Sequence, residues 1–178
     1  MIALSTIRSK ESALSRAAGR LHIVGNEGLD DPRITAVGLF VEAFTGLSAR
    51  LSSQIAEHHL GMVDFEVLMR LARSTGCELR MTDLAAQTGL STSGVTRVVD
   101  RLERDGFAAR RACPTDRRGA FTVLTDAGQA KILEILPGHL ELITEWFTGR
   151  LEPDHLEQML DGLRTVRDAV RPGATSGT

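Results

Sequence analysis

The chain has 178 residues, 42% of them hydrophobic and 25% charged, with a formal net charge of −2. That is enough apolar material for one domain with a sizeable core, and the two cysteines, Cys77 and Cys113, are too few and too isolated for a disulfide framework. No apolar run approaches the roughly 20 residues a bilayer crossing needs, and the N-terminus lacks a leader pattern, so a cytoplasmic protein with reduced thiols and no membrane partner is expected.

Residues 1–32 read as an N-terminal extension. An amphipathic candidate helix, about Thr6 to Val24, carries Ile7, Leu14, Ala17, Ala18, Leu21 and Val24, and a loop follows up to Pro32, which suits the first turn of the next helix. From Arg33 to about His59 the apolar residues Val37, Phe40, Val41, Phe44, Leu47, Leu51 and Ile55 keep to one stripe, which predicts a long helix broken by Gly61. Val63 to Arg73 predicts another, with Phe65, Val67, Leu68, Leu71 and Ala72 as its core face.

The stretch Met81–Thr125 carries the chemistry. Leu84 and Ala85 share a helix face, Gly89 supplies a tight turn of positive φ, and Val95, Val98, Val99 and Leu102 recur at helical spacing. Ser91 or Thr92 suits the cap of the second helix. With the valines inward, Ser91, Thr92, Ser93, Thr96, Arg97 and Arg101 are left at its start and on its outer face, where such groups hydrogen-bond bases and phosphates. Gly106 stops the helix. Phe107–Arg111 and Ala120–Leu124 read as two strands around the turn Cys113–Gly119, which projects Arg110, Arg117 and Arg118 beside the second helix. Two crossing helices followed by such a hairpin make a winged helix-turn-helix, with one helix in the major groove of double-stranded DNA and the wing on the adjacent backbone or minor groove.

Beyond the wing, Thr125 or Asp126 caps a helix carrying Ile132, Leu133, Leu136, Leu140, Ile143 and Phe147, in which Pro137 predicts a kink or break. A last helix from Glu152–Asp154 carries Leu156, Met159, Leu160, Leu163, Val166 and Val170, and residues 172–178 read as a disordered tail. The fold class expected is mainly α with a small β-hairpin wing, organised as a helix-turn-helix head at 61–124 and a helical dimerisation region at 33–60 and 125–171. These outer helices hold more apolar surface than one small head covers, and the partner expected is a second copy with two reading helices about 10 base pairs apart.

A net negative chain looks ill suited to nucleic acid, but its charge is unevenly spread. Between Ser91 and Arg118 seven arginines face four acids, leaving a locally basic surface on an acidic body. Enzyme signatures are missing: Gly89-Leu-Ser91-Thr-Ser93 lacks the closing glycine of a nucleophile elbow, and no Gly-rich phosphate loop or HExxH occurs. His58 and His59 point to different helix faces and cannot form an i, i+4 metal pair; with Glu57, His22 and His139 they could assemble a site across helices, but surface or helix-end histidines are several fold more common, and no metal, no cofactor and no catalysis are expected. The bland role for Arg104 is an ion pair with Asp100, Glu103 or Asp105.

The runs LAAQTGLSTSGVTRVVDRLERDGFAARR and DRRGAFTVLTDAG resemble the MarR family of bacterial transcription regulators, the second by its Asp-x-Arg, Leu-Thr and Gly spacing. The resemblance implies an obligate homodimer that binds a pseudo-palindromic operator as a ligand-responsive repressor. It also implies that Arg118, oriented by Asp116, reaches the minor groove from the wing tip. Family members respond to small aromatic or anionic effectors, for which Arg33, Arg50, His58, His59, Arg70 and Trp146 are the candidates by position. The peroxide-sensing mode of some members uses a cysteine at the start of the first long helix together with tyrosines, and this chain has neither. A winged helix serving as a protein-interaction module without an operator is the alternative reading.

Overall fold

A computed structural model describes residue 29 and residues 31–113 and 116–175, the side chains of 116–118 excepted. The helix expected at about Thr6 to Val24 lies outside the described residues. Chain contacts divide the molecule into Met1–Gly46 and Leu47–Thr178.

Helix α1 runs Pro32–Glu57, with the proline at its first position. Its stripe is as predicted in spacing, but only Ile55 is buried; Val37, Phe40, Val41 and Phe44 are all more than half exposed. By length and composition, at a mean hydropathy of 1.4, α1 reaches what a bilayer crossing requires. The sequence had suggested otherwise because Glu42 and Arg50 interrupt the run. The chain then turns through His58 and His59, the latter at φ 59, so these two leave the helix and do not lie on it.

Helix α2, Met62–Ala72, buries Phe65, Val67, Leu68 and Leu71. A 3-10 turn at Thr75–Cys77 leads into strand β1, Glu78–Arg80, which was not foreseen: three residues are too few to show a strand period. Helix α3, Met81–Thr88, ends on Gly89 at φ 71, whose N–H donates to the Ala85 carbonyl. Ser91 then caps helix α4, Thr92–Arg104, by accepting from the Gly94 N–H at 3.1 Å. Val95, Val98, Val99 and Leu102 are its buried face. Gly106, at φ 77, donates to the Glu103 carbonyl and Phe107 to that of Leu102, the paired bonds of a Schellman ending.

Strands β2, Ala108–Cys113, and β3, Asp116–Leu124, form the hairpin, and β1 pairs antiparallel with the other side of β3, giving the order β1-β3-β2. The ladder runs from Ala108 opposite Leu124 to Cys113 opposite Asp116, with an irregularity at Ala112/Cys113. The strands are therefore longer than expected: Asp116, Arg117, Arg118 and Gly119 belong to β3, not to a seven-residue turn.

Helix α5, Asp126–Trp146, starts on a Thr125 cap and continues as one helix through Pro137, so of the kink or break expected there the break does not occur. Thr125 also fastens the helix to the hairpin base, its hydroxyl donating to the Gly106 carbonyl at 2.7 Å and its N–H to the Phe107 carbonyl. Gln54 of α1 donates to the Ile135 carbonyl at 3.2 Å and meets His139 Nδ1 at 3.3 Å, while Phe65 stands edge-on to the His139 ring. Ile55, Ile132 and Ile135 thereby join the core of α2, α3, α4 and the sheet. Helix α6, Pro153–Val170, buries none of its residues. The tail expected to be disordered is folded as far as Thr175: Pro172–Thr175 make a 3-10 turn with Ala174 buried.

Candidate nucleic-acid interface

The Schellman ending and the Ser91 cap fix both ends of α4, and its buried valines fix its rotation, so the opposite face must point outward. Ser91, Thr92, Ser93, Thr96 and Arg97 are all exposed. Three hydroxyls are locally engaged: Ser91 Oγ lies 3.1 Å from Ser93 Oγ, and Thr96 Oγ1 donates to the Thr92 carbonyl at 2.9 Å. Arg97 makes no ion pair or hydrogen bond among the described residues. Arg104, seven residues on and hence on nearly the same side, is likewise exposed and makes none. Its expected pairing with a neighbouring acid is not formed.

Those acids serve Arg110 instead. From β2, the Arg110 guanidinium donates to Asp100 Oδ1 at 2.6 Å and to Glu103 Oε2, and its backbone N–H donates to Glu103 Oε1 at 2.8 Å. A residue expected to project from the hairpin toward DNA is thus clamped between two carboxylates of α4, binding the hairpin to the helix. Arg101 departs from expectation in the same way, because α4 crosses the start of α2. Its Nη2 reaches Asp64 Oδ1 at 2.6 Å, and Asp64 is the acid in the first turn of α2, where negative charge is favoured. Arg111 pairs with Glu78 at 2.6 Å and lies over the Phe121 ring, which Arg80 approaches at 5.4 Å.

Between α4, the hairpin and the end of β1 lies an open groove of about 480 Å³, with Thr92 and Thr96 on one wall, Gly119 and Ala120 on another, and Arg80 and Arg110 at its margins. Arg80 is exposed and is a cation at this face that the sequence reading missed. An arginine that ends a three-residue strand immediately before a helix start gives no periodic signal. The side chains of Asp116, Arg117 and Arg118 lie outside what is described, so the wing-tip assignment rests on the motif.

The candidate effector residues are mostly engaged elsewhere. Arg33 pairs with Asp31 at 2.6 Å, and Arg50 stacks on Trp146 at 3.7 Å from the ring centre. His58 Nδ1 meets Glu134 Oε1 at 2.8 Å; with Lys131 beside it, Glu134 is held below the usual carboxylate range. Arg70 bonds Glu66 and the Ala174 carbonyl. A crevice of about 570 Å³ near Arg70 also includes Arg73 and Arg167; Arg70 is paired with Glu66 and Arg167 with Asp168, while Arg73 is exposed. Among the described residues no His, Cys, Asp or Glu cluster could hold a metal. Cys113 is buried.

Comparison with known proteins bears directly on this arrangement. The model of the MarR family matches residues 60–119, the span from α2 through the hairpin turn. The regulator YkoM of Bacillus subtilis, an HTH-type transcriptional regulator, is 32% identical over 122 residues, which are 68% of this chain and 77% of YkoM. The MarR family regulator AbsC of Streptomyces coelicolor is 30% identical, with a TM-score of 0.75 over 80% of this chain and 96% of its own. Sco3205 of the same organism, a MarR family regulator solved in complex with DNA, is also 30% identical, with a TM-score of 0.73 over 80% of this chain and 90% of its own. The chain belongs to the MarR family of transcriptional regulators.

Proposed function

We propose that this regulator binds a pseudo-palindromic duplex as a homodimer and represses the promoter it covers, with α4 in the major groove and the hairpin on the adjacent backbone and minor groove. The observation that carries the reading is Arg97, exposed and without an ion-pair partner among the described residues, beside Thr92, Ser93 and Thr96 on the outer face of a helix whose inner face is fully committed to the core. Its position in the first half of α4 suits a bidentate bond to guanine, while Arg104 and Arg80 suit phosphates. Arg118 is assigned to the minor groove and Asp116 to its orientation on the family motif alone. The complex of Sco3205 with DNA supports the same partner for this chain.

Residues 61–124 form the reading head in this proposal, and 33–60 with 125–171 the dimerisation region. Val37, Phe40, Val41 and Phe44 of α1 are exposed, as are Val166 and Val170 of α6, and each set is apolar surface for a second copy to cover. The work is done in the cytoplasm and is regulation, not catalysis. A small aromatic or anionic effector then acts by favouring one separation of the two heads, to the extent of its differential affinity. Footprinting on the DNA flanking the chain's own gene, with and without small aromatic acids, tests the reading. A two-fold-symmetric footprint with steep salt dependence is expected. Salt-insensitive binding to a protein, with no protected duplex, would replace it with the interaction-module reading.

A further inference from the structure

Helix α6 buries none of its residues, yet the turn that follows it is tied to the back of the helix-turn-helix. Arg171, at the end of α6, donates from Nη2 to the Gln87 carbonyl at 3.0 Å. That carbonyl is among the last four of α3, which have no partner inside the helix and attract positive charge. The same guanidinium lies against Gly89: a Cβ there would stand 2.7 Å from Nη2 and 3.1 Å from Cζ. Three residues on, Ala174 is 6% exposed, and its carbonyl accepts from Arg70 Nη1 of α2 at 3.1 Å. Two arginines therefore cross in opposite directions, one from the strap to α3 and one from α2 to the strap.

We propose that Arg171 is a positioning residue for operator recognition: through Gln87 and Gly89 it fixes the attitude of the reading head to α6, and so sets the half-site separation that the dimer accepts. The proposal rests on the DNA-binding reading above. The strap joins the final helix to the turn between α3 and α4, so any rotation of the head about α6 must first break the Arg171 bond.

The test compares the full-length protein with its Arg171→Ala and Arg171→Lys variants on synthetic duplexes. These carry the footprinted half-sites at the native separation and at one or two base pairs more or fewer. Arg171→Ala is expected to lose about tenfold in affinity at the native separation, as suits one charge-assisted bond, and to discriminate less against the other separations, while its dimer mass is unchanged. Arg171→Lys restores part of the discrimination. An unaltered spacing profile, or a loss equal at every separation, overturns the proposal. Hydrogen exchange at residues 87–91 needs no operator: it is expected to quicken in Arg171→Ala, and unchanged exchange overturns the strap by itself. Failure of the unmodified protein to bind any duplex would sink the DNA-binding reading, a result distinct from either.

Discussion

Replacing Gly128 with alanine sets two effects of opposite sign against each other. Gly128 lies in the first turn of α5, and in an open helix the change to alanine would gain about 1 kcal/mol from backbone entropy. Here the added Cβ would press on the Phe107 carbonyl oxygen, 3.0 Å from the carbonyl carbon and 2.8 Å from Leu124 Cδ1, well inside ordinary carbon contacts of about 3.5–4.0 Å. The obstacle is backbone, and that carbonyl also accepts the Thr125 N–H, so relief requires α5 to lift off the hairpin base. Overpacking of this kind costs about 3 kcal/mol and the lost bond about 1 more. The net expectation is a loss of about 3 kcal/mol, which for a chain of this size lowers Tm by about 6–12 °C. Thermal unfolding followed by circular dichroism, at one protein concentration because dimer stability depends on it, measures the shift. A Tm that holds or rises would mean that α5 yields freely, and would refute the argument that Gly128 is fixed by close approach.

Arg97→Ala is expected to weaken operator binding by about 1–3 kcal/mol with Tm unchanged, since nothing in the fold leans on that side chain; a melting shift with intact affinity in a gel-shift titration would reverse the assignment. Arg118→Ala should likewise reduce affinity while leaving the dimer folded, and unaltered affinity at fixed salt would remove the wing from the interface. Arg101→Ala leaves the largely enclosed Asp64 without its partner and, since Arg101 itself is 43% exposed, is expected to cost about 1 kcal/mol of stability, read by urea unfolding; a variant as stable as its parent would mean the pair contributes nothing to holding α4 on α2. Burial holds the His139 imidazole below its ordinary 6.5, so the unfolded chain takes up the proton first. Its contribution to stability is complete above 6.5 and declines as pH falls from there toward the folded value, whereas Glu134, held below 4.5, acts only at lower pH. His139→Gln should flatten the dependence of Tm on pH just below 6.5, and an unchanged slope would assign it to another group.

The helices were legible because their buried faces repeat: Val95, Val98, Val99 and Leu102 define both α4 and its outward side. The turn glycines were legible too, since Gly89 and Gly106 stand where a positive φ ends a helix. Strand β1 was not, because it exists only by pairing with β3 more than forty residues later. The fates of the arginines were hidden for the same reason. Asp64 lies 37 residues from Arg101, and Glu78 lies 33 from Arg111, so no local pattern announces either pair. Pro172 and Gly173 have the composition of a loose end, and contacts such as those of Ala174 and Arg171 with the head give the segment a fixed place.

The clamp on Arg110 draws on Asp100 and Glu103, and the burial of α4 draws on its valines and Leu102, so folding asks nothing of Arg97 and little of Ser93. If Arg97 and Ser93 read the operator as proposed, descendants of this protein can exchange those positions at small thermodynamic penalty, keeping the scaffold while changing the promoters they recognise. A lineage built on such a head is free to diversify its targets faster than its architecture.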